Sequence, residues 1–373
     1  MKLLAISHQQ PDISSGWSIE RCEFRPSINL IVGASGAGKT RLLNVIFNLA
    51  RFAVTDTMLG PGNSYLEFSI DNEQYRWSVE IAESGKTGPV IISEGLEILG
   101  GRVVLARNEI SATLNGVKLP KLPKTSSALR ILREEDALKP IHAGFSSIRR
   151  RAFQGSELEQ AAALGTVPGG IIEGCKRGGK LSDLYVAGLS ISALMKVLHD
   201  YFREQFNIVA DQFKRVFPNV LDLKVVDAQQ IGLPVIGSPP VLMIRERGIS
   251  KDIPIGDLSS GMLKVLLLIT DVITQPKPSI YMIDEYENSL GVNAIDFFPG
   301  LARELGTEVQ FFLTSHHPML VNAMSINDWI VLGRTGQKVR ALYGEILKSR
   351  YGISHHEQYI QLLNDPFYQK GTV

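Results

Sequence analysis

The segment Gly33-Ala34-Ser35-Gly36-Ala37-Gly38-Lys39-Thr40 constrains this chain more than any other. A short apolar run, Ile28-Asn29-Leu30-Ile31-Val32, leads into it, and apolar residues at helical spacing follow from Arg41 to Ala50. The predicted order is strand, glycine loop, helix. Glycines let the backbone wrap closely, so that successive N–H groups point at phosphate oxygens. Lys39 would reach β- and γ-phosphates, the Thr40 hydroxyl would ligate Mg²⁺, and the helix start adds its positive end. Gly33 to Arg41 are therefore the expected first part of a nucleotide site, with ATP and Mg²⁺ as cofactors.

Three further segments carry chemistry. Ser279-Ile280-Tyr281-Met282-Ile283 is an apolar strand ending in Asp284 and Glu285. The first carboxylate suits a metal-bound water, and the second a general base that polarises the attacking water. Gln310-Phe311-Phe312-Leu313-Thr314-Ser315 delivers His316 to the carboxyl end of a buried strand, where open α/β sheets bind ligands. Asp257-Leu258-Ser259-Ser260-Gly261-Met262 sits before a long apolar helix, Leu263 to Ile273, and Ser259 lies 26 residues before Glu285 (285 − 259). Ser259 offers a hydroxyl, Gly261 a close N–H, and the helix a positive dipole end. Ser259 also reads as an ordinary N-cap.

In this order the four segments resemble the ATP-binding cassette superfamily, with Leu258-Ser259-Ser260-Gly261 in the place of its signature. The resemblance implies an α/β fold, a P-loop ABC-ATPase head with an antiparallel β insert and an inserted helical lobe. It implies that Ser259, Ser260 and Gly261 of one protomer complete the phosphate site of another, so that the chain dimerises around ATP-Mg. His316 would be the switch histidine that contacts the γ-phosphate. His317 stands where the family often has serine.

Tyr286-Glu287-Asn288-Ser289-Leu290 resembles the Glu-Asn-Gly-Leu-His stretch of the OLD, RecF, Rad50 and SMC branch. Ser289 replaces the glycine there and Gly291 the histidine. The 218 residues between Thr40 and Ser259 (259 − 40 − 1), and Phe217-Pro218 after an amphipathic helix, are similar to the same branch. Ala152-Phe153-Gln154-Gly155 resembles the Phe-Gln-Gly turn of SMC heads, which makes Gln154 the candidate metal-coupling glutamine; an exposed loop glutamine is the plainer reading. Trp17 and Phe24 precede the loop as candidate adenine stackers, with a core role the plainer reading of both.

Along the chain, short strands with turn signals at Asp71-Asn72, Ser84-Gly85, Gly100-Gly101 and Asn115-Gly116 predict an antiparallel sheet from Tyr65 to about Leu119. Composition then turns helical from Thr125 to about Phe217. Leu194, Leu198, Phe202, Phe206, Val209 and Phe213 fall at helical spacing in its most regular piece. Strand-like runs return at Leu223–Val226 and Val241–Arg245, and helix alternates with strand after Asp257. The expected division is 1–124 and 221–373 as two halves of the core, with 125–220 as the helical lobe.

The net charge of +1 gives no global field toward nucleic acid or membrane. The run Ile148-Arg149-Arg150-Arg151 could contact nucleic-acid phosphates, or be a solvated or partner-docking face. Cys22 and Cys175 lie far apart without metal-ligand spacing, and no apolar run reaches the roughly 20 residues of a membrane helix, so a cytoplasmic protein is expected. His316 is followed by 57 residues (373 − 316), short of the roughly 100 of a toprim nuclease domain. The expected function is an ATPase that regulates a separately encoded effector, a nuclease or toxin, similar to stand-alone OLD-like ATPases of bacterial antiphage systems. The alternative is a RecF- or SMC-like DNA-binding ATPase in DNA repair or maintenance. A transporter cassette is disfavoured by the long insert.

Overall fold

The computed structural model describes residues 1–11, 16–85, 88–153, 155–288, 290–352 and 354–371. The chain divides into two compact units. The first comprises Met1–Arg151, Lys277–Tyr286 and Pro299–Val373; the second comprises Ala152–Pro276 and Glu287–Phe298.

The first unit is built on one sheet. Its strands are β1 (Lys2–Gln9), β2 (Ser18–Glu23), β3 (Ile28–Val32), β4 (Gly62–Ile70), β5 (Glu73–Ser84), β6 (Gly88–Ile98), β7 (Arg102–Arg107), β8 (Ala112–Leu114), β9 (Val117–Lys118) and β10 (Ile148–Arg151). After β11 (Val220–Asp227), β12 (Pro240–Glu246) and β13 (Ile253–Pro254) of the second unit, it resumes with β14 (Ser279–Ile283), β15 (Val309–Thr314), β16 (Trp329–Thr335) and β17 (Lys338–Tyr343). Among the described residues the order is β10-β14-β15-β3-β16-β17-β2-β1-β4-β5-β6-β7-β8-β9.

The β10-β14-β15-β3-β16 part of this sheet is parallel and most of the rest antiparallel, and the sequence says why. β3, β14 and β15 are buried along their whole length, as parallel strands covered on both faces must be. They pair in parallel with one another and with β10 and β16. The amide side chains of Gln310 and Asn29 survive inside because they act as extra peptide groups. Gln310 exchanges bonds with both the N–H and the C=O of Leu3, at 2.7 and 2.8 Å, and Asn29 bonds Arg25 N–H at 2.7 Å. From β4 onward the strands run antiparallel through tight turns. Asp71, Asn72, Asn115 and Gly116 all have positive φ, as two-residue hairpin turns require.

One segment departs from expectation. Within the stretch whose composition reads as helical, Ile148–Arg151 is a strand, the edge partner of β14, with Arg150 opposite Met282. Three consecutive arginines carry no periodicity that would mark a strand. Tertiary pairing decides it.

The second unit packs helices Ile191–Tyr201, Arg203–Val216 and Ser260–Thr274 with the small sheet β11-β12-β13. The regular piece read as one helix breaks at Phe202, whose φ of −134° and ψ of 58° are not helical. Phe206, Val209 and Phe213 are buried on the second half.

Candidate functional site

β3 ends at Val32, and the chain enters the glycine loop. At Gly33 a Cβ would lie 2.6 Å from the carbonyl oxygen of Leu332, so β16 can approach this closely because no side chain intervenes. Gly36 and Gly38 have φ of +80° and +106°, left-handed values that glycine adopts without penalty. The helix Lys39–Val54 starts directly after Gly38. The Lys39 ammonium folds back over the loop, donating to the carbonyls of Gly33 at 2.6 Å and Ala34 at 3.2 Å. Arg41 is exposed, its guanidinium 5.1 Å from the centre of the Trp17 ring.

Asp284, the first residue past β14, is 6% exposed and held from three directions. Its backbone N–H donates to Arg151 O at 2.9 Å, which prolongs the β10–β14 pairing. Its Oδ1 accepts from Thr40 Oγ1 at 3.1 Å and Thr314 Oγ1 at 2.8 Å, while Oδ2 accepts from Arg150 Nη2 at 2.8 Å. A buried carboxylate needs such partners to offset lost hydration.

Glu285 is exposed and has φ of +51°, left-handed and uncommon for a residue with a Cβ. Its N–H donates to Thr314 Oγ1 at 2.7 Å, and the Tyr286 N–H to Thr314 O at 3.1 Å. His316 is exposed two residues beyond β15. His317 caps the helix Pro318–Ala323, its Nδ1 accepting from the Met319 N–H at 3.3 Å.

The sequence assigns Thr314 no role and Arg150 only a place in a run for nucleic-acid phosphates or a solvated or docking face, yet both touch Asp284. Thr314 ends β15 and Arg150 is the last but one residue of β10, both strands flank β14 in parallel register, and both side chains reach Asp284. For Thr314 that adjacency is readable from the buried strands β14 and β15 once they are paired; β10 carries no such signal.

Ser259, Ser260 and Gly261, the expected signature, lie in the second unit. Ser259 is the N-cap of Ser260–Thr274, its Oγ accepting from the Met262 N–H at 3.2 Å. An accepting hydroxyl keeps its O–H to donate. Ser259 and Ser260 are exposed. One turn further, Lys264 is fully buried; its Nζ donates to Asn288 O at 2.7 Å and lies 4.7 Å from the centre of the Phe153 ring. Gln154 and Ser289 lie outside the described residues. Beside Gln154, Phe153 has φ of +50°, and its N–H donates to Glu157 Oε2 at 2.6 Å. Trp17 and Phe24 are core residues, 2% and 8% exposed.

The donor set suits a divalent ion held with nucleotide. Thr40 Oγ1 and Asp284 Oδ1 are hard oxygens converging within 3.1 Å, and Mg²⁺ is commonly held by one or two carboxylates plus substrate phosphates. The loop adds a glycine cradle and an ammonium. An anionic group would satisfy both.

Among solved structures, the chain resembles an SMC head bound to the C-terminal winged-helix domain of ScpA, with 14% identity and a TM-score of 0.53, over 92% of this chain and 98% of that one. An SMC head domain from Thermotoga maritima matches with 14% identity and a TM-score of 0.46, over 92% and 99% of the two chains. A head domain with an extended coiled coil, bound to the C-terminal domain of ScpA derived from Pyrococcus furiosus, matches with 13% identity and a TM-score of 0.48, over 94% and 98%. The first likeness identifies the fold as that of an SMC head. No curated protein sequence matches the chain. A family model described as "AAA domain, putative AbiEii toxin, Type IV TA system" matches residues 28–322, from the first residue of β3 past His316, and the chain belongs to that family.

Proposed function

We propose that the chain binds ATP with Mg²⁺, hydrolyses it, and does so as a dimer in which each signature completes the partner's phosphate site. The observation that carries this reading is the meeting of Thr40 and Asp284. They are 244 positions apart in sequence, yet their oxygens lie 3.1 Å apart beside the loop that holds Lys39. Thr40 and Asp284 would hold the metal ion, which when bound neutralises charge on the phosphate oxygens. Lys39 would turn from its loop carbonyls to the phosphates, and Glu285 would take a proton from the attacking water. His316 would contact the γ-phosphate, and Gln154 would report on the metal. Ser259, Ser260 and Gly261 would reach the γ-phosphate of the partner at a helix N-terminus.

We further propose that dimerisation regulates a separately encoded effector in bacterial antiphage defence. Support comes from the family's description, which names a toxin of a type IV toxin–antitoxin system. The second reading, a DNA-binding ATPase of the SMC or RecF kind, draws on the SMC-head fold. The net charge of +1 favours the first reading, because a DNA clamp gains affinity from surplus positive charge. In either case no helix among the described residues is long and apolar enough to cross a membrane.

The test is phosphate release together with light scattering. Wild-type protein should hydrolyse ATP, and Glu285→Gln should stop turnover and hold an ATP-dependent dimer that Ser259→Arg abolishes. Turnover at the wild-type rate in Glu285→Gln would sink the assignment of the base. A DNA-stimulated rate that falls with salt would favour the clamp over the regulator.

A further inference from the structure

Arg150 stands out because the chain spends a guanidinium on the carboxylate proposed to hold the metal. β10 is a short edge strand in which side chains alternate between faces, so Arg150 shares its side with neither Arg149 nor Arg151. Its Nη2 lies 2.8 Å from Asp284 Oδ2, and the side chain is 20% exposed against 8% for Asp284. Its Nε is buried and has no hydrogen-bond partner among the described residues. The guanidinium is thus not saturated by Asp284 and retains a donor for an oxygen added to the site.

We infer that Arg150 makes divalent-cation binding at Asp284 conditional on nucleotide. Thr40 and Thr314 occupy Oδ1 and Arg150 occupies Oδ2. A bare divalent ion arriving at Oδ1 meets a fixed positive charge across one carboxyl group. Arg150 already balances Asp284 in formal charge. Two more positive charges unbalance the site, and Coulomb repulsion at this range is large in a partly buried setting. A nucleotide triphosphate arriving with the ion reverses the balance and gives the guanidinium phosphate oxygens to bond. The site therefore selects the metal–nucleotide complex over the free metal. This rests on the ATP reading above for the identity of the nucleotide.

The test is Mn²⁺ binding to the full chain, followed by electron paramagnetic resonance, with and without a non-hydrolysable ATP analogue. Arg150→Gln removes the charge and keeps an amide donor; Arg150→Lys keeps the charge. Without nucleotide, Arg150→Gln should bind Mn²⁺ at least about tenfold more tightly than wild type, and Arg150→Lys should stay within about threefold of wild type. With the analogue, the difference between wild type and Arg150→Gln should shrink to less than about threefold. Adding Asp284→Asn to Arg150→Gln should abolish the gain. Arg150→Met, neutral and compatible with a strand, replaces the glutamine variant if that one does not fold. A pin that merely holds the edge strand would leave nucleotide-free Mn²⁺ affinity unchanged in Arg150→Gln, or would make the lysine and glutamine variants behave alike; either result overturns the inference. If wild type binds no analogue while Arg150→Gln still gains bare Mn²⁺, the ATP reading fails and the role of Arg150 toward the cation stands.

Discussion

Thr314 Oγ1 donates its proton to Asp284 Oδ1 at 2.8 Å, and the same Thr314 Oγ1 accepts the Glu285 N–H at 2.7 Å. One hydroxyl on β15 therefore holds the Asp284 carboxylate and the Glu285 backbone at the end of β14. Its position follows from the parallel register, in which Ile283 lies opposite Leu313 and the next residue of each strand emerges at the same level.

Thr314→Val removes the hydroxyl with little change in shape. Asp284 and the Glu285 N–H each lose a bond, and unsatisfied groups at such a site cost about 1–3 kcal/mol. Melting temperature should fall. Turnover should fall further, by about a hundredfold, because small displacements of catalytic groups are costly. Nucleotide affinity should change far less, since Lys39 and the loop are untouched. Thr314→Ser should keep most of both properties. A valine variant with wild-type turnover would remove Thr314 from the site.

Glu285 occupies a left-handed backbone conformation, with φ of +51°. A side chain there costs about 1 kcal/mol relative to glycine. Glu285→Gly should therefore melt at or above the wild-type temperature while turnover falls at least about a hundredfold. Glu285→Ala keeps a Cβ and should melt below the glycine variant. If alanine melts above glycine, the backbone is not strained at this position in solution.

How far the residues announced this arrangement depends on the range of the interaction. The glycine loop, the buried strands Ile28–Val32 and Ser279–Ile283, and the N-cap at Ser259 are local patterns, and each forms where its residues place it. The hairpin turns at Asp71-Asn72 and Asn115-Gly116 are equally local. That Arg150 and Thr314 meet Asp284 escaped the sequence, where Arg150 reads only as a nucleic-acid contact or a solvated or docking face, because strands pair over 134 and 30 positions. Phe202 escaped for the opposite reason. Its spacing suits a continuous helix, and a single non-helical φ/ψ pair overrides it.

Lys39 stabilises its own loop before any nucleotide arrives, through bonds to the Gly33 and Ala34 carbonyls. Lys39→Ala should lower the melting temperature of the free protein slightly, since a net hydrogen bond contributes about 1 kcal/mol. Its larger effect should be on binding: the rise in melting temperature produced by ATP should vanish, and affinity should drop at least about tenfold, or about 1.4 kcal/mol. An undiminished thermal shift in Lys39→Ala would place the phosphates elsewhere.

His8 gives the stability a pH dependence near the loop. Its Nδ1 lies 2.9 Å from Ser64 Oγ, its ring sits 5.9 Å from that of Trp17, and burial pushes its pKa down to about 4 from an ordinary 6.5. The folded state thus keeps the ring neutral where the unfolded chain would protonate it. The stabilising contribution is complete above about pH 6.5 and is lost as pH falls toward 4. Between pH 8 and 4.5 the loss should reach about 2 kcal/mol, allowing for partial exposure. Glu67 adds an acid dependence of its own, since the Arg21 guanidinium holds its carboxyl below the ordinary 4.5. Subtracting the urea-unfolding profile of His8→Gln from that of wild type cancels that contribution. The difference should be flat above pH 7 and slope below it; a difference flat down to pH 4.5 would show that the ring titrates alike in the folded and unfolded chains.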